Sequence, residues 1–164
     1  MKLSSIYLSL SMALTFSYSV AQAGTQDLEV RWLASDGRLL ETRTLDFNAV
    51  QDLPQTEVVT GTPWTNGKHR FAGPALGSLA SLVEPPPAVA EIMALNDYSA
   101  EIPAEDWLEN GAILAVTLDG EAMEISDKGP YWIIYPIDSS PEFDTQEFRS
   151  RMVWQVKRID FIAK

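Results

Sequence analysis

The chain has 164 residues, 23 of them acidic against 12 basic, and no cysteine. That length suits one compact domain of ~100–150 residues behind a short leader and excludes a two-domain cofactor enzyme. A net charge of −11 argues against non-specific nucleic-acid binding, and the lack of Cys excludes disulfides, thiolate zinc sites, iron–sulfur clusters and a cysteine nucleophile.

Residues 1–23 read as a targeting segment. Lys2 gives a positive start, Leu3 to Val20 carry no charge, and Ala21-Gln22-Ala23 before Gly24 is a small–x–small cleavage pattern. A transmembrane anchor is the alternative. Serines dilute the stretch, however, and no basic stop-transfer cluster follows it. Nothing later is apolar for the ~18 residues that a span needs. The expectation is an exported protein of the periplasm, with a single domain over residues 24–164.

Leu28, Val30 and Trp32 alternate with charged residues, which predicts a strand, and the Asp36-Gly37 turn leads into a second strand running to Phe47. Val58-Val59 starts another extended piece. Residues 60–67 form a polar loop carrying Trp64, a candidate site because a large aromatic on a loop needs something to cover it. A short strand follows from Lys68 to Phe71. Leu76, Leu79, Ala80 and Val83 recur at helical spacing after Pro74 and predict a helix over 74–83. The triple proline at 85–87 is then a stiff connection that cannot join a central strand.

Residues 89–95 read as a buried strand ending at the Asn96-Asp97 turn, and 103–110 as a second short helix. Three apolar runs, 112–118, 131–135 and 153–162, read as strands, with Tyr131 and Tyr135 facing away from Trp132. The sum is about eight strands and two short helices, an α+β fold with a mixed sheet. The basic end, with Arg149, Arg151, Lys157 and Arg158, suits either a solvated face or a docking site for an anionic or carbonyl-rich group.

Four blocks follow one another in the second half. They are Ala-Leu-Asn-Asp-Tyr-Ser-Ala-Glu-Ile-Pro at 94–103, Ile-Leu-Ala-Val-Thr-Leu-Asp-Gly at 113–120, Lys-Gly-Pro-Tyr-Trp-Ile-Ile-Tyr-Pro at 128–136 and Arg-Met-Val-Trp-Gln-Val-Lys-Arg-Ile at 151–159. With the segment from Trp64 to Leu76, this succession resembles the molybdopterin-binding domain of the sulfite oxidase superfamily over residues 57–161. The resemblance implies the sulfite-oxidase-like fold. The superfamily's enzymes hold molybdenum through a cysteine thiolate, which this chain lacks, and Trp132 and Trp154 stand near positions where they place basic residues on the cofactor phosphate. The chain is therefore similar to the small exported, cysteine-free branch, the PruR-type pterin-binding proteins. That similarity implies no catalytic cofactor and no enzymatic activity. It implies a reduced pterin as ligand and, as partner, the periplasmic domain of a membrane-bound cyclic-di-GMP signalling enzyme. A molybdopterin-dependent oxidoreductase and a ligand-free interaction module are the two other readings.

A pterin wants aromatic rings on its faces and a carboxylate on its amino-pyrimidine edge. Trp64, Tyr98, Trp132 and Trp154 are the candidate faces. Asp97, in the Asn96-Asp97-Tyr98 turn, is the candidate carboxylate, and Arg151 a candidate donor to an oxo group or polar tail. Trp132 and Trp154 equally suit a core, and Asn96-Asp97 equally suits plain turn chemistry. Ordering of the 60–67 loop over the ligand would couple ligand to partner. The single His69 rules out a two-histidine metal site and reads as a surface residue, no serine has an evident His partner, and no Gly-rich phosphate loop occurs.

Overall fold

The computed structural model describes residues 27–164, so the predicted leader lies outside the described residues. Strands β1 (Leu28–Leu33) and β2 (Leu39–Leu45) form the expected hairpin, antiparallel with Leu28 opposite Leu45. The second strand stops before Phe47. Asp46 turns its carboxylate onto the Ala49 amide, 2.7 Å away, and caps a short helix α1 (Phe47–Gln51) that the strand assignment had overrun. Strands β3 (Gln55–Gly61) and β4 (Lys68–Pro74) pair antiparallel around the loop that carries Trp64.

Helix α2 (Leu76–Ala80) follows, then β5 (Pro87–Ala94), β6 (Ser99–Pro103) and α3 (Ala104–Leu108). Pro87 does begin an interior strand, contrary to expectation. It sits at the strand's first residue, where its missing N–H removes no ladder bond from the middle of the sheet. The 112–118 run is split among β7 (Ile113–Ala115), a crossing at Val116, and β8 (Thr117–Leu118), which belong to different sheets. Short β9 (Glu121–Ala122), β10 (Trp132–Ile134), α4 (Gln146–Arg151) and β11 (Val156–Ala163) complete the described chain. The α+β class with mixed sheets and short helices holds, with more elements than the sequence suggested.

The largest sheet has the order β2-β1-β11-β5-β6. β1 and β11 run parallel and the other neighbours antiparallel, so the last strand is inserted beside the first. One face buries Leu28, Val30, Trp32, Ile92, Ile159 and Phe161. Trp32 stacks on Phe161 and Trp107 of α3 meets the same ring edge-on, with centroids 5.9 Å apart in both pairs. On the other face Arg31 grips its register partner Asp160 through Nε and Nη2, across the parallel pair.

A four-stranded sheet β3-β4-β8-β9 and the pair β10-β7 pack beside it. The junction between them is close. β4 passes so near β7 that a Cβ on Gly73 would lie 1.9 Å from the Leu114 carbonyl oxygen and 2.7 Å from Ala115 Cα. Only glycine fits there, and the Val116 amide donates to the Ala72 carbonyl at 2.8 Å in the same crossing. Gly73→Ala must push two backbones apart. We expect a loss of about 1–3 kcal/mol or more, as for an overpacked core, read as a lowered denaturation midpoint. An unchanged midpoint would show that the junction yields.

Candidate functional site

The site is assembled where the chain approaches its last strand. Gln155 takes a left-handed φ of 51°, and its amide donates to the Lys128 carbonyl at 3.0 Å. This kink lets Val156 enter the core while Trp154 points to a different neighbourhood. Trp154 bridges to Trp132, and Ile133 donates to the Val153 carbonyl at 2.9 Å. Trp132 is 1% exposed. Its indole N–H reaches the Met152 carbonyl at 3.1 Å, Phe71 meets it edge-on at 5.5 Å, and the Lys128 ammonium lies 5.7 Å from its centroid.

Trp64 caps this cluster. Its centroid is 5.0 Å from that of Trp154, at 71°, and 6.2 Å from that of Trp132. The loop that presents it is tied by its own side chains. Thr62 and Thr65 hydroxyls lie 2.9 Å apart, Thr62 N donates to Thr65 Oγ1, and Trp64 N donates to Thr62 Oγ1, both at 3.2 Å. At the loop's base, Asp138 accepts the Gly61 amide at 2.8 Å and lies 3.3 Å from Lys68 Nζ. Its carboxyl is held below the ordinary value, chiefly by the Gly61 N–H. At the loop's end His69 is clamped on both ring nitrogens, Nδ1 2.7 Å from Asp119 Oδ2 and Nε2 2.9 Å from the Asn66 carbonyl. The Asp119 bond raises the imidazole's pKa above its ordinary value. Asp119 is lowered, first by the Arg70 amide and then by His69.

Beside Trp64 opens a cavity of about 440 Å³. Pro63 and Trp64 form one wall, and Ala94, Asn96 and Tyr98 of the β5–β6 turn form another. Gln146, Arg149 and Ser150 of α4 close the far side, and Met152, Val153 and Trp154 lie between. Asn96 Oδ1 accepts the Tyr98 amide at 3.1 Å, and the Tyr98 hydroxyl donates to the Ser150 carbonyl at 2.8 Å, joining turn to helix. Trp64, 39% exposed, and Tyr98, 47% exposed, are two of the few large apolar side chains open to solvent.

Four of the seven sequence-predicted site residues, Trp64, Asn96, Tyr98 and Trp154, therefore line one cavity. The other three do not. Trp132 lies behind Trp154 with the rings edge-on at 6.5 Å and 89°, whereas a sandwiched ligand needs parallel rings about 7 Å apart. A ring in this cavity meets Trp154, Trp64 and Tyr98 instead of sitting between Trp132 and Trp154. Asp97 has a left-handed φ of 64°, which turns its side chain outward, 82% exposed, onto Lys157 Nζ at 2.6 Å. That bond lowers its pKa. Arg151 points away from the cavity, toward Asp106 and Glu147.

The basic end is not an open cationic face. Arg149 pairs with Asp144, Arg151 with Asp106 and Glu147, Lys157 with Asp97, and Arg158 with Asp160. Of the α4 wall, Arg149 belongs to the basic end that the sequence offers as a docking site, whereas Gln146 and Ser150 escaped the sequence reading. The helix's one available signal was Thr145, whose hydroxyl accepts the Phe148 amide as an N-cap. Buried Asp106 was missed too. It accepts from the Tyr135 hydroxyl at 2.8 Å, Arg151 Nη1 at 3.2 Å and Asn110 Nδ2 at 3.2 Å, and burial pushes the Tyr135 hydroxyl well above its ordinary pKa.

Among the described residues no group of three or more His, Asp or Glu is placed to hold a metal. The cavity offers indoles, a phenol, amides, the Ser150 hydroxyl and a guanidinium, and no soft thiolate of the kind through which sulfite-oxidase-type enzymes hold molybdenum. The donor set does not fit a molybdenum cofactor. No helix among the described residues is long and apolar enough to cross a membrane.

No family model and no curated protein matches the sequence. Among solved structures, the fold resembles that of the sulfane dehydrogenase SoxCD from Paracoccus pantotrophus, with a TM-score of 0.61 and 16% identity. The match covers 85% of this chain but 39% of that chain, so the present chain spans about two fifths of its neighbour's length. The likeness is one of fold, and it is consistent with the sulfite-oxidase-like architecture that the sequence blocks resemble.

The clamp on the Trp64 loop gives a pH signature. A raised His69 pKa contributes stability that is fully present below the ordinary imidazole value of 6.5 and is lost as pH rises through the folded value. A lowered Asp119 pKa contributes stability present above 3.8 and lost as pH falls through its folded value. His69→Ala should therefore melt below the wild type most clearly near pH 5, and the gap should narrow as pH rises past 6.5. Thermal melts across that range test this, and a gap independent of pH would show that the clamp carries no charge.

Proposed function

We propose that the protein is an exported, non-enzymatic binding protein that takes a flat heteroaromatic molecule, a reduced pterin, into the cavity beside Trp64. The observation that carries the reading is the convergence of Trp64, Tyr98 and Trp154, from three separate segments, on one cavity of about 440 Å³ with polar groups on its α4 side. That volume lies within the ~300–1,000 Å³ range of small-molecule sites. Partly exposed aromatic rings stabilise a stacked ligand without large rearrangement. The resemblance of the sequence blocks to the PruR-type proteins and the fold likeness to SoxCD favour the same reading. The oxidoreductase alternative suffers from the absent thiolate. The ligand-free alternative explains the caps and hydrogen bond of Trp64 and Tyr98 but not their convergence with Trp154 on one open cavity.

Binding of a reduced pterin should quench tryptophan emission. Trp154→Ala and Trp64→Ala each remove a stacking surface and should cost about 1–3 kcal/mol, or about 5–150-fold in affinity, by analogy with base stacking. Trp132→Phe repacks the core behind the cavity and should leave the affinity within a few-fold. Wild-type protein that neither quenches nor gives binding heat with tetrahydropterin would overturn the ligand assignment.

We further propose that the loaded form signals to the periplasmic domain of a membrane-bound cyclic-di-GMP enzyme. Coupling of this kind is reciprocal, so the partner must raise ligand affinity by the factor by which the ligand raises partner affinity. Calorimetric titration of the pterin with and without that domain measures the factor. Equal affinities in both titrations would reduce the role to storage or scavenging.

A further inference from the structure

Resting on the reading that this cavity takes an aromatic ring, we infer that its ligand carries an oxyanion substituent, a carboxylate or phosphate, which Arg149 holds at the α4 wall. The polar chemistry of the cavity is one-sided. Among the described residues no Asp or Glu lines it, and Asp97, the carboxylate expected for an amino-pyrimidine edge, points out to Lys157. Two of the wall's acceptors are already engaged. Asn96 Oδ1 takes the Tyr98 amide and the Ser150 carbonyl takes the Tyr98 hydroxyl. What remains in the lining are the donors Asn96 Nδ2 and Arg149 Nη1 and the uncharged Gln146 amide, with no carboxylate to oppose an anion.

Arg149 is held in a way that leaves it usable. Its Nε and Nη2 both bond a single oxygen, Asp144 Oδ1, at 3.0 and 2.5 Å. Nη1 has no hydrogen-bond partner among the described residues. The pair is open to water, with Arg149 39% and Asp144 51% exposed, so solvent screens it and it is weak enough to be exchanged for an incoming anion. The guanidinium geometry suits two parallel bonds to an oxyanion better than one shared oxygen does. Trp64, Trp154 and Tyr98 supply the rings of the lining and Arg149 its cation, so the fitting ligand combines a flat apolar part with a negatively charged one.

Pterin and pterin-6-carboxylate, each used in its tetrahydro form, separate the two parts, because they share a ring and differ by one charge. Titration of the full chain should show the carboxylate bound about tenfold more tightly, a ratio that shrinks as sodium chloride is added. Arg149→Gln should bring the carboxylate down to the level of pterin. Asp144→Asn, which removes the internal competitor from outside the cavity lining, should widen the ratio. Equal wild-type affinities for the two probes, or Arg149→Gln weakening both alike, would overturn the oxyanion and leave the ring reading standing. Binding of neither probe would overturn both.

Discussion

A buried carboxylate fixes where the cavity's far wall stands. Asp106 is 2% exposed, and a charge so removed from water is tolerable only when hydrogen-bonded and paired. Tyr135 from the end of the β10 segment, Asn110 after α3 and Arg151 at the end of α4 all converge on it. Removing any one partner leaves the others around an under-satisfied anion, so the three elements are held together by a shared requirement. Arg151 is also bonded back to Glu147 one turn earlier, which stiffens α4 itself. The residues that follow, Met152 to Trp154, leave α4 at a fixed point, and this is why Trp154 arrives beside Trp132 and Trp64. Arg151, expected in the cavity, acts beneath it.

The same segment joins the cavity to the largest sheet. β11 lies between β1 and β5, so its start cannot drift without disturbing both neighbours. Val156 is buried at the beginning of that strand, and the left-handed Gln155 just before it turns the chain so that Trp154 is presented to the cavity. Gln155 is held by its side chain as well, Nε2 donating to the Ile125 carbonyl at 2.6 Å. A non-glycine residue in that conformation stores strain that the surrounding bonds must offset. Its position, one residue from an indole lining the cavity, ties the strain to where that ring faces.

What was legible in the sequence followed local pattern. The β1–β2 hairpin and α2 show apolar residues at period 2 or 3.6, while β5 reads as a near-continuous apolar run and α3 from its Pro103 start and Asn110-Gly111 stop. α4 has the sequence Gln-Glu-Phe-Arg-Ser-Arg, with one apolar residue in six, so tertiary bonds place it and no pattern announces it. α1 exists through the Asp46 cap, a local competition that a run of alternating residues conceals. Trp64 and Tyr98 stand out in the sequence as aromatic residues in a loop and a turn, and both line the cavity. Asp97 and Arg151 could not be oriented, since their ion partners Lys157 and Asp106 lie 60 and 45 residues away in sequence. Trp132 sits beside Ile133 and Ile134 and went where a strand of that composition goes, into the core.

The arrangement also bears on how occupancy could be reported to a partner. The Trp64 loop was expected to order over its ligand, yet it is tied internally by Thr62 and Thr65 and at its ends by Asp138 and His69. A wall fixed in this way lowers the entropy cost of binding, since few side chains remain to be immobilised. It also limits how much that wall can change. The opposite side is different. The β5–β6 turn meets α4 through an exposed hydrogen bond, Tyr98 to the Ser150 carbonyl, and Arg149 is held by an exposed ion pair to Asp144 just before α4. Both contacts are cheap to exchange, whereas the buried Asp106 cluster below is not. A ligand that draws Arg149 from Asp144 would alter the outer surface of α4 while leaving its base in place. On the proposed reading, a difference between loaded and empty forms is to be sought on the α4 rim, where the differential contacts that coupling requires can arise.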